Sequence, residues 1–355
     1  MATDNSQFAT IVLLPGGQNF PATAGETILE AGRRAGFTFP QACSGGNCLR
    51  CAGALLCGAV EHQRSHEHIT ADGESAAVLP CLVAARGDCT LAVEGVYGPG
   101  QLPVVEVVAQ VVAIAPLSDH ISRVHLRLPA GRHVERLAGQ YLEILDGASA
   151  GVLSGAVSRA AAYAFSIASP PESGRDLELH IRYGEENPSS LDVMALLRRE
   201  PMVTLRLPMG DCTLAGEPLL PVLYIAGSTG FAQVKAFVEH AIARRWTVPM
   251  AIYWGVRSLA ELYLADLPER WAREHANIRF VPVISSGVDE AIQCDPIRTG
   301  LVHEAALADV DDFGRLLVYA CGSPAMVYAV QDAFVAHGLP AERIFSDVFA
   351  WAARP

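Results

Sequence analysis

Residues 43–51 read Cys43-Ser44-Gly45-Gly46-Asn47-Cys48-Leu49-Arg50-Cys51, and Cys81 follows thirty positions later. This is C-x4-C-x2-C with a distant fourth cysteine, the ligand spacing of a plant-type [2Fe–2S] cluster. Four thiolates, Cys43, Cys48, Cys51 and Cys81, are the candidate metal ligands. A tight loop brings three of them round one cluster, and its glycines let the backbone approach and turn N–H groups toward sulfur. Zinc competes for such a set, but zinc ribbons favour paired C-x2-C units and only one such pair is present. A disulfide framework is disfavoured by the odd total of nine cysteines and by a polar N-terminus with no export-signal pattern.

The rest of the chain supplies what such a loop needs. Its 355 residues are 51% hydrophobic, enough for two or three cores. A net charge of −12 repels phosphates and argues against a nucleic-acid partner. One lysine, Lys235, stands against 25 arginines and reads as compositional bias. The apolar stretches 104–117 and 218–226 are too short or too interrupted to span a bilayer, so no membrane partner is expected. A reducing, cytoplasmic compartment suits thiolate ligands.

Around the loop, residues 8–14 read as a strand, Pro15-Gly16-Gly17 as a turn, 19–22 as the return strand and 27–35 as a short helix. Leu55, Leu56 and Val60 continue a strand-like run, and the surplus Cys57 and Cys89 read as small core residues. His62, His66 and His68 lie in one polar segment that reads as a solvated loop, with a second metal site as its alternative. With its cysteine loop, the segment 1–97 resembles a plant-type ferredoxin domain, which implies a β-grasp fold. The Gly- and Pro-rich residues 98–103 read as a linker.

From 104 to 214 strands dominate: 104–114, 121–128, 141–145, 163–168, 177–183 and 203–207, with one helix near 190–199. A small antiparallel barrel is expected. Ala138-Gly139-Gln140-Tyr141 and Tyr163-Ala164-Phe165-Ser166 resemble the flavin domain of the ferredoxin–NADP reductase superfamily, whose second segment reads Arg-x-Tyr-Ser. The resemblance implies that Phe165 lies against the isoalloxazine and that Ser166 meets flavin N5. Tyr163 stands where the family places a phosphate-binding arginine, and a phenol carries no such charge. Arg159 or Arg182 is a candidate replacement. Ser189 and Ser190 open the following helix, where they fit either the flavin pyrophosphate or a helix cap.

Residues 215–355 alternate strand and helix: strands at 219–226, 250–254, 279–284, 316–320 and 344–349, helices at 233–244, 301–308 and 325–337, and a helix start at 259–266. A doubly wound α/β domain binding a nicotinamide nucleotide is expected. Gly227-Ser228-Thr229-Gly230 ends the first strand and opens a helix, so Gly227, Thr229 and Gly230 are candidates for the dinucleotide pyrophosphate. Cys321-Gly322-Ser323-Pro324 resembles the family's Cys-Gly-x-Pro turn, which implies that Cys321 lies beside nicotinamide C4 and that Gly322 borders the nucleotide. Cys212 and Cys294 have no comparable context. The runs from Ile252 to Ser258 and from Phe345 to Trp351 are similar to flavin reductases and deoxysugar reductases. That resemblance makes Phe349, then Trp351, the candidate aromatic covering the flavin. Arg257 and Ser258 could meet a 2′-phosphate, and no acid favouring NADH is evident.

The order ferredoxin, flavin barrel, nucleotide domain resembles bacterial oxygenase reductase components and the reductase of deoxysugar biosynthesis. It implies an enzyme that moves electrons from NADH or NADPH through FAD, rather than FMN, to a [2Fe–2S] cluster. Its acceptor is expected to be an oxygenase or dehydratase component. A flavin reductase releasing its product is the alternative favoured by Tyr163. A non-catalytic iron–sulfur sensor is opposed by Cys321 and the 227–230 turn.

Overall fold

A computed structural model of the protein describes residues 8–354 apart from 15, 40–44, 47–50, 64–75, 94–95, 100–101, 133, 147–151, 154–155, 158–160, 186, 215 and 287–296. The chain divides into two compact units, residues 1–103 and 104–355.

The first unit holds β1 (Phe8–Leu14), β2 (Gln18–Thr23), α1 (Ile28–Arg34), β3 (Gly53–Cys57), β4 (Val60–His62), β5 (Ala76–Val78), β6 (Val83–Ala85) and β7 (Cys89–Ala92). Five strands form a sheet in the order β2-β1-β7-β3-β5, with β1 and β7 parallel. Thr27 starts α1 by accepting the Glu30 N–H, while Glu30 reaches back to Thr27, a reciprocal cap. Ile28, Leu29 and Ala31 then turn inward against Phe20, Phe37 and Phe39. Cys89 is buried as expected, but Cys57 is exposed. The pairing of β3 with β7 shifts register between Leu55 and Cys57, which breaks the alternation that would have buried it.

The second unit begins with β8 (Val105–Ser118), β9 (Ile121–Arg127), β10 (Tyr141–Asp146), β11 (Val152–Leu153), β12 (Ala156–Val157), β13 (Ala161–Ser166), β14 (Asp176–Arg182), α2 (Pro188–Arg199) and β15 (Met202–Met209). Six of these strands form an antiparallel sheet, β13-β10-β15-β8-β9-β14. Past its named strands, the Ala168 N–H donates to Glu178 O at 2.7 Å, joining the two ends of that order. Leucine, isoleucine and valine from β8, β9, β10, β14 and β15, with Tyr163 and Phe165 of β13 and Val193, Met194 and Leu197 of α2, fill its interior.

There follow β16 (Val222–Gly227), α3 (Phe231–Ala243), β17 (Met250–Val256), α4 (Asp266–Glu274), β18 (Ile278–Ile284), β19 (Arg298–Thr299), α5 (Val302–Asp309), β20 (Leu317–Cys321), α6 (Pro324–Ala336), β21 (Ile344–Phe345) and α7 (Val348–Trp351). Their sheet runs β19-β18-β17-β16-β20-β21, with every pair parallel. The chain therefore starts at the centre, winds outward through β19, and returns to the other side of β16 with β20. One face packs on α3 and α4, the other on α5 and α6.

Two expectations need correction here. In the segment 259–266 a tight turn, Leu259–Glu261, is followed by a second turn at 263–265, and the helix proper is α4, which buries Pro268 and Trp271. Proline is tolerated there because the first turn needs no N–H from it. The expected last strand, 344–349, stops after Phe345. Ser346 Oγ then accepts the Val348 N–H at 3.3 Å and the chain turns into α7.

Candidate functional site

In the first unit, Cys51 and Cys81 are buried with their sulfurs 3.5 Å apart. Two metal–sulfur bonds of about 2.3 Å at a tetrahedral angle span about 3.8 Å, so this pair is spaced to bind one metal ion. Gly46, in the loop that leads to Cys51, turns at φ +84°. Cys43 and Cys48 lie outside the described residues, as do His66 and His68. His62 is exposed on β4.

In the second unit, the sheet order reverses between β16 and β20, the position where doubly wound sheets bind ligands beyond their strand ends. Gly227 ends β16 and Cys321 ends β20, with Ala226 paired to Cys321. The tight turn Ser228–Gly230 leads straight into α3. A Cβ on Gly230 would lie 2.0 Å from Cys321 O, so only glycine lets this turn pass the end of β20. Ser228 holds φ +48°, and its carbonyl accepts the Trp254 indole N–H at 2.9 Å while its hydroxyl accepts from Arg182 Nη1 at 3.2 Å. Arg182, Gly227, Ser228 and Ser323 line a cavity of about 300 Å³ that continues past Arg257 and Glu261. Thus Arg182 faces the turn at 227–230. Gly322 sits against Met326 of α6, where a Cβ would come 2.7 Å from Met326 Cε.

Cys321 is fully enclosed, and burial with the nearby Asp347 charge pushes its thiol well above the ordinary range. It is a neutral S–H at physiological pH. Asp347 was not foreseen as a site residue. Gln233 Nε2 donates to its Oδ2 at 2.7 Å and also to Gly139 O, tying α3 to the segment before β10. Burial raises the Asp347 carboxyl to about 6, although the bonds from Gln233 and the Cys212 N–H oppose the rise. Cys212, read as lacking context, lies buried in this group, where burial first and then the charges of Cys321 and Asp347 push its thiol well above the ordinary range.

The flavin candidates approach the same group. Ser166 pairs with Tyr141 across β13 and β10. The Tyr141 ring lies where a Cβ on Gly210 would be, 2.8 Å away, and Asp347 Oδ1 is 3.0 Å from that same point. Ser166, Tyr141, Gly210, Asp347 and Cys321 therefore form one chain of neighbours. Tyr163 and Phe165 alternate onto the other face of β13 and pack half-buried against the interior cluster. Burial, Asp192 and Asp146 all raise the Tyr163 phenol.

At α2 the cap is Asn187, whose Oδ1 accepts the Ser190 N–H at 3.3 Å. Ser190 is buried, Ser189 is exposed, and Pro188 contributes no N–H. Phe349 packs with Tyr328, ring centroids 5.6 Å apart, on the α5–α6 face, whereas Cys321 belongs to the α3 face. Trp351 is 68% exposed. Thr229 sits half-exposed at the centre of the turn. Arg159 and Cys294 lie outside the described residues.

One further network joins the two sheets of this unit. Tyr263 O–H donates to His180 Nδ1 at 3.0 Å, and His180 Nε2–H donates to Glu178 at 2.7 Å. Burial lowers the His180 pKa, which leaves the ring neutral in that tautomer. Lys235 Nζ donates to Glu178 at 3.3 Å, Glu239 at 2.9 Å and Ala168 O at 3.3 Å.

Residues 11–86 match the family "2Fe-2S iron-sulfur cluster binding domain" and residues 224–332 the family "Oxidoreductase NAD-binding domain". The chain is 30% identical to the CDP-6-deoxy-L-threo-D-glycero-4-hexulose-3-dehydrase reductase of Yersinia pestis, over 96% of this chain and 98% of that one. It is 27% identical to reductase component 1 of terephthalate 1,2-dioxygenase from Comamonas sp, over 93% and 94%. Among solved structures it is similar to an Amycolatopsis cytochrome P450 reductase, with TM-score 0.60, 28% identity and 96% and 98% coverage. The chain belongs to the ferredoxin–NADP reductase superfamily, in the branch that carries an N-terminal plant-type [2Fe–2S] domain. It is an NAD(P)H-dependent oxidoreductase whose cofactors are a [2Fe–2S] cluster, FAD and NAD(P)H, and it delivers electrons to a partner protein. No helix among the described residues is long and apolar enough to cross a membrane.

Proposed function

We propose that the chain is the reductase component of a two-protein system, cytoplasmic, with an oxygenase or a deoxysugar dehydratase as acceptor. In this reading residues 1–97 are the β-grasp ferredoxin domain, 98–103 the linker, 104–214 the flavin barrel and 215–355 the doubly wound nucleotide domain. The observation that carries it is the juxtaposition of the Gly227–Gly230 turn with Cys321 at the reversal of strand order.

The donor sets fit their groups. Two buried sulfurs 3.5 Å apart suit cluster ligands, with Cys43 and Cys48 completing four. The Ser166–Tyr141 edge of the antiparallel sheet suits an isoalloxazine, and the turn at 227–230 suits a pyrophosphate. Bound flavin would take a hydride and release its electrons singly, which matches a two-electron donor to a one-electron cluster.

The chain's own contribution is position. Gly230 and Cys321 fix the nucleotide turn against the end of β20, and Ser166 offers a hydroxyl toward the flavin ring. The neutral Cys321 thiol presents a small polarisable group, not a nucleophile, beside the path of the hydride. Asp347, Gln233 and the Cys212 N–H tie the two sheets together where the rings must meet. Hydride transfer depends on that alignment more than on acid–base chemistry.

Anaerobic addition of NADH or NADPH to the purified holoprotein tests the reading. The flavin absorbance should bleach first and the cluster bands follow. A flavin that reduces while the cluster stays oxidised would refute the electron path.

A second reading, a flavin reductase that releases reduced flavin, is favoured by the start of α2. There Pro188 lacks an N–H, Asn187 occupies that of Ser190, and Tyr163 sits beside acidic Asp192 and Asp146. Gel filtration separates the two: a protein that keeps its flavin is the reductase component, and one that loses it on dilution is the flavin reductase.

A further inference from the structure

Among the described residues, Ser228 and Arg245 alone hold a positive φ without being glycine. At +48° Ser228 sits in the left-handed region, which crowds the Cβ of an L-residue against the backbone. The turn it opens, Ser228–Gly230, leads straight into α3.

Its side chain and its carbonyl are both held. Arg182 Nη1 donates to the hydroxyl at 3.2 Å, and Trp254 Nε1–H donates to the carbonyl at 2.9 Å. The Phe231 N–H closes the turn onto the same carbonyl, which has lone pairs for both donors. A peptide unit is planar and trans, so with this carbonyl turned toward the indole the Thr229 N–H points the other way. An outward N–H at a helix start is the group that meets a phosphate.

The indole is itself fixed. Trp254 is fully buried and lies flat on Phe231, the first residue of α3, with ring centroids 3.9 Å apart and planes 8° from parallel. Tyr263 meets the indole edge-on, with centroids 5.0 Å apart, and its hydroxyl donates to His180 at 3.0 Å. His180 and Arg182 both belong to β14. One strand therefore reaches Ser228 by two arms, directly through Arg182 and indirectly through His180, Tyr263 and Trp254.

We propose that Trp254 is a positioning residue for the nucleotide: by holding the Ser228 carbonyl it keeps a serine in a conformation that glycine adopts unaided, and so keeps the 227–230 turn in the shape that receives the pyrophosphate. The proposal rests on the reading of that turn as the dinucleotide site. Trp254 does not line the cavity at Gly227 and Ser228 and acts on it through Ser228. Glycine enters the left-handed region at no steric cost, so the need for the indole should fade when residue 228 carries no side chain. A tryptophan that only filled the core would matter equally in either case.

Steady-state reduction of ferricyanide by the holoenzyme tests this, with NADH and NADPH as donors. Trp254→Phe should raise KM for the nucleotide about tenfold, equivalent to about 1.4 kcal/mol, and change kcat far less. In the Ser228→Gly background the same substitution should raise KM by about threefold or less, the lower end for one hydrogen bond. Tyr263→Phe keeps the ring and removes only its anchoring hydroxyl. It should raise KM about threefold, and that rise should vanish in the Ser228→Gly background. Calorimetric titration of the oxidised holoprotein with NAD⁺ should show the same pattern in Kd, apart from turnover. An unchanged KM in Trp254→Phe overturns the proposal, as does an equal rise in both backgrounds. If Trp254→Phe does not fold, Tyr263→Phe decides: a KM that is unchanged, or that rises equally in both backgrounds, overturns the proposal. Wild type reduced by neither nucleotide overturns the dinucleotide reading itself, and the proposal with it.

Discussion

Replacing Lys235 by methionine keeps the side chain's length and removes its charge. Lys235 is 8% exposed, and its two carboxylate partners, Glu178 and Glu239, are 20% and 25% exposed. Removing one member of a buried ionic group costs about 3–5 kcal/mol, because the remaining charges stay buried without a partner. Here the lower figure applies. Both carboxylates keep some access to water, and burial already raises the Glu239 carboxyl so that a proton can relieve it. A loss of about 3 kcal/mol corresponds to a Tm drop of roughly 6–12 °C for a unit of this size.

The pH dependence has a definite sign. Burial pushes the Glu178 carboxyl up, but the His180 hydrogen bond and the Lys235 charge outweigh it and hold it at about 2, against an ordinary 4.5. A depressed carboxylate stabilises the fold above its unfolded pKa and loses that contribution as pH falls through its folded one. The gap between wild type and Lys235→Met should therefore be widest at neutral pH and close from about 4.5 toward 2. Lys235→Arg should recover only part of it, since three acceptors from separate directions surround one ammonium and a planar fork cannot meet them all. Scanning calorimetry of the holoprotein at pH 7 and pH 4 measures both effects. A Tm loss under about 2 °C at pH 7, or an equal loss at both pH values, would refute the reasoning.

Cys81→Ser should abolish the visible cluster spectrum while leaving NADH-to-ferricyanide activity through the flavin, measured on the purified variant. Gly230→Ala should lower kcat/KM for the nucleotide by about 100-fold or more, because its Cβ would fall 2.0 Å from Cys321 O and a misplacement of this order disturbs the reacting geometry; stopped-flow flavin reduction reads it directly. Asp347→Asn should stabilise the protein more at pH 8 than at pH 5. Burial raises that carboxyl to about 6 in the fold, so wild-type stability falls as pH rises from about 4 to 6, and paired thermal melts check the difference.

What could be read in the sequence was what the chain holds locally. The cysteine spacing, the 227–230 turn between a buried strand and a helix, and the Cys321-Gly322 turn each carry their geometry within a few residues. Phe349 misled for the same reason in reverse. It follows Phe345 at a spacing that suits a strand, yet the Ser346 hydroxyl captures the Val348 N–H and turns the chain into a helix. Nothing in the apolar pattern reports that competition. Asn187 was overlooked as the cap of α2 because two serines beside it satisfied the same rule.

The residues that escaped the sequence were those whose meaning is a partner far along the chain. Asp347 acquires its raised pKa from burial, and the bonds that oppose the rise come from Gln233, 114 positions away, and from the Cys212 N–H. Glu261 is an ordinary surface acid until the turn at Leu259 folds it onto Arg257. Lys235 did carry a signal in the sequence, as the one lysine beside 25 arginines. A bias strong enough to replace every other lysine should have replaced this one too, unless the site rejects a guanidinium. Its three acceptors lie on α3, β14 and the strand end two residues beyond Ser166, so it joins the helix that opens at the 227–230 turn to the edge proposed for the flavin. The composition thus pointed to the joint between the proposed nucleotide and flavin sites, and only the fold shows why a compact ammonium is needed there.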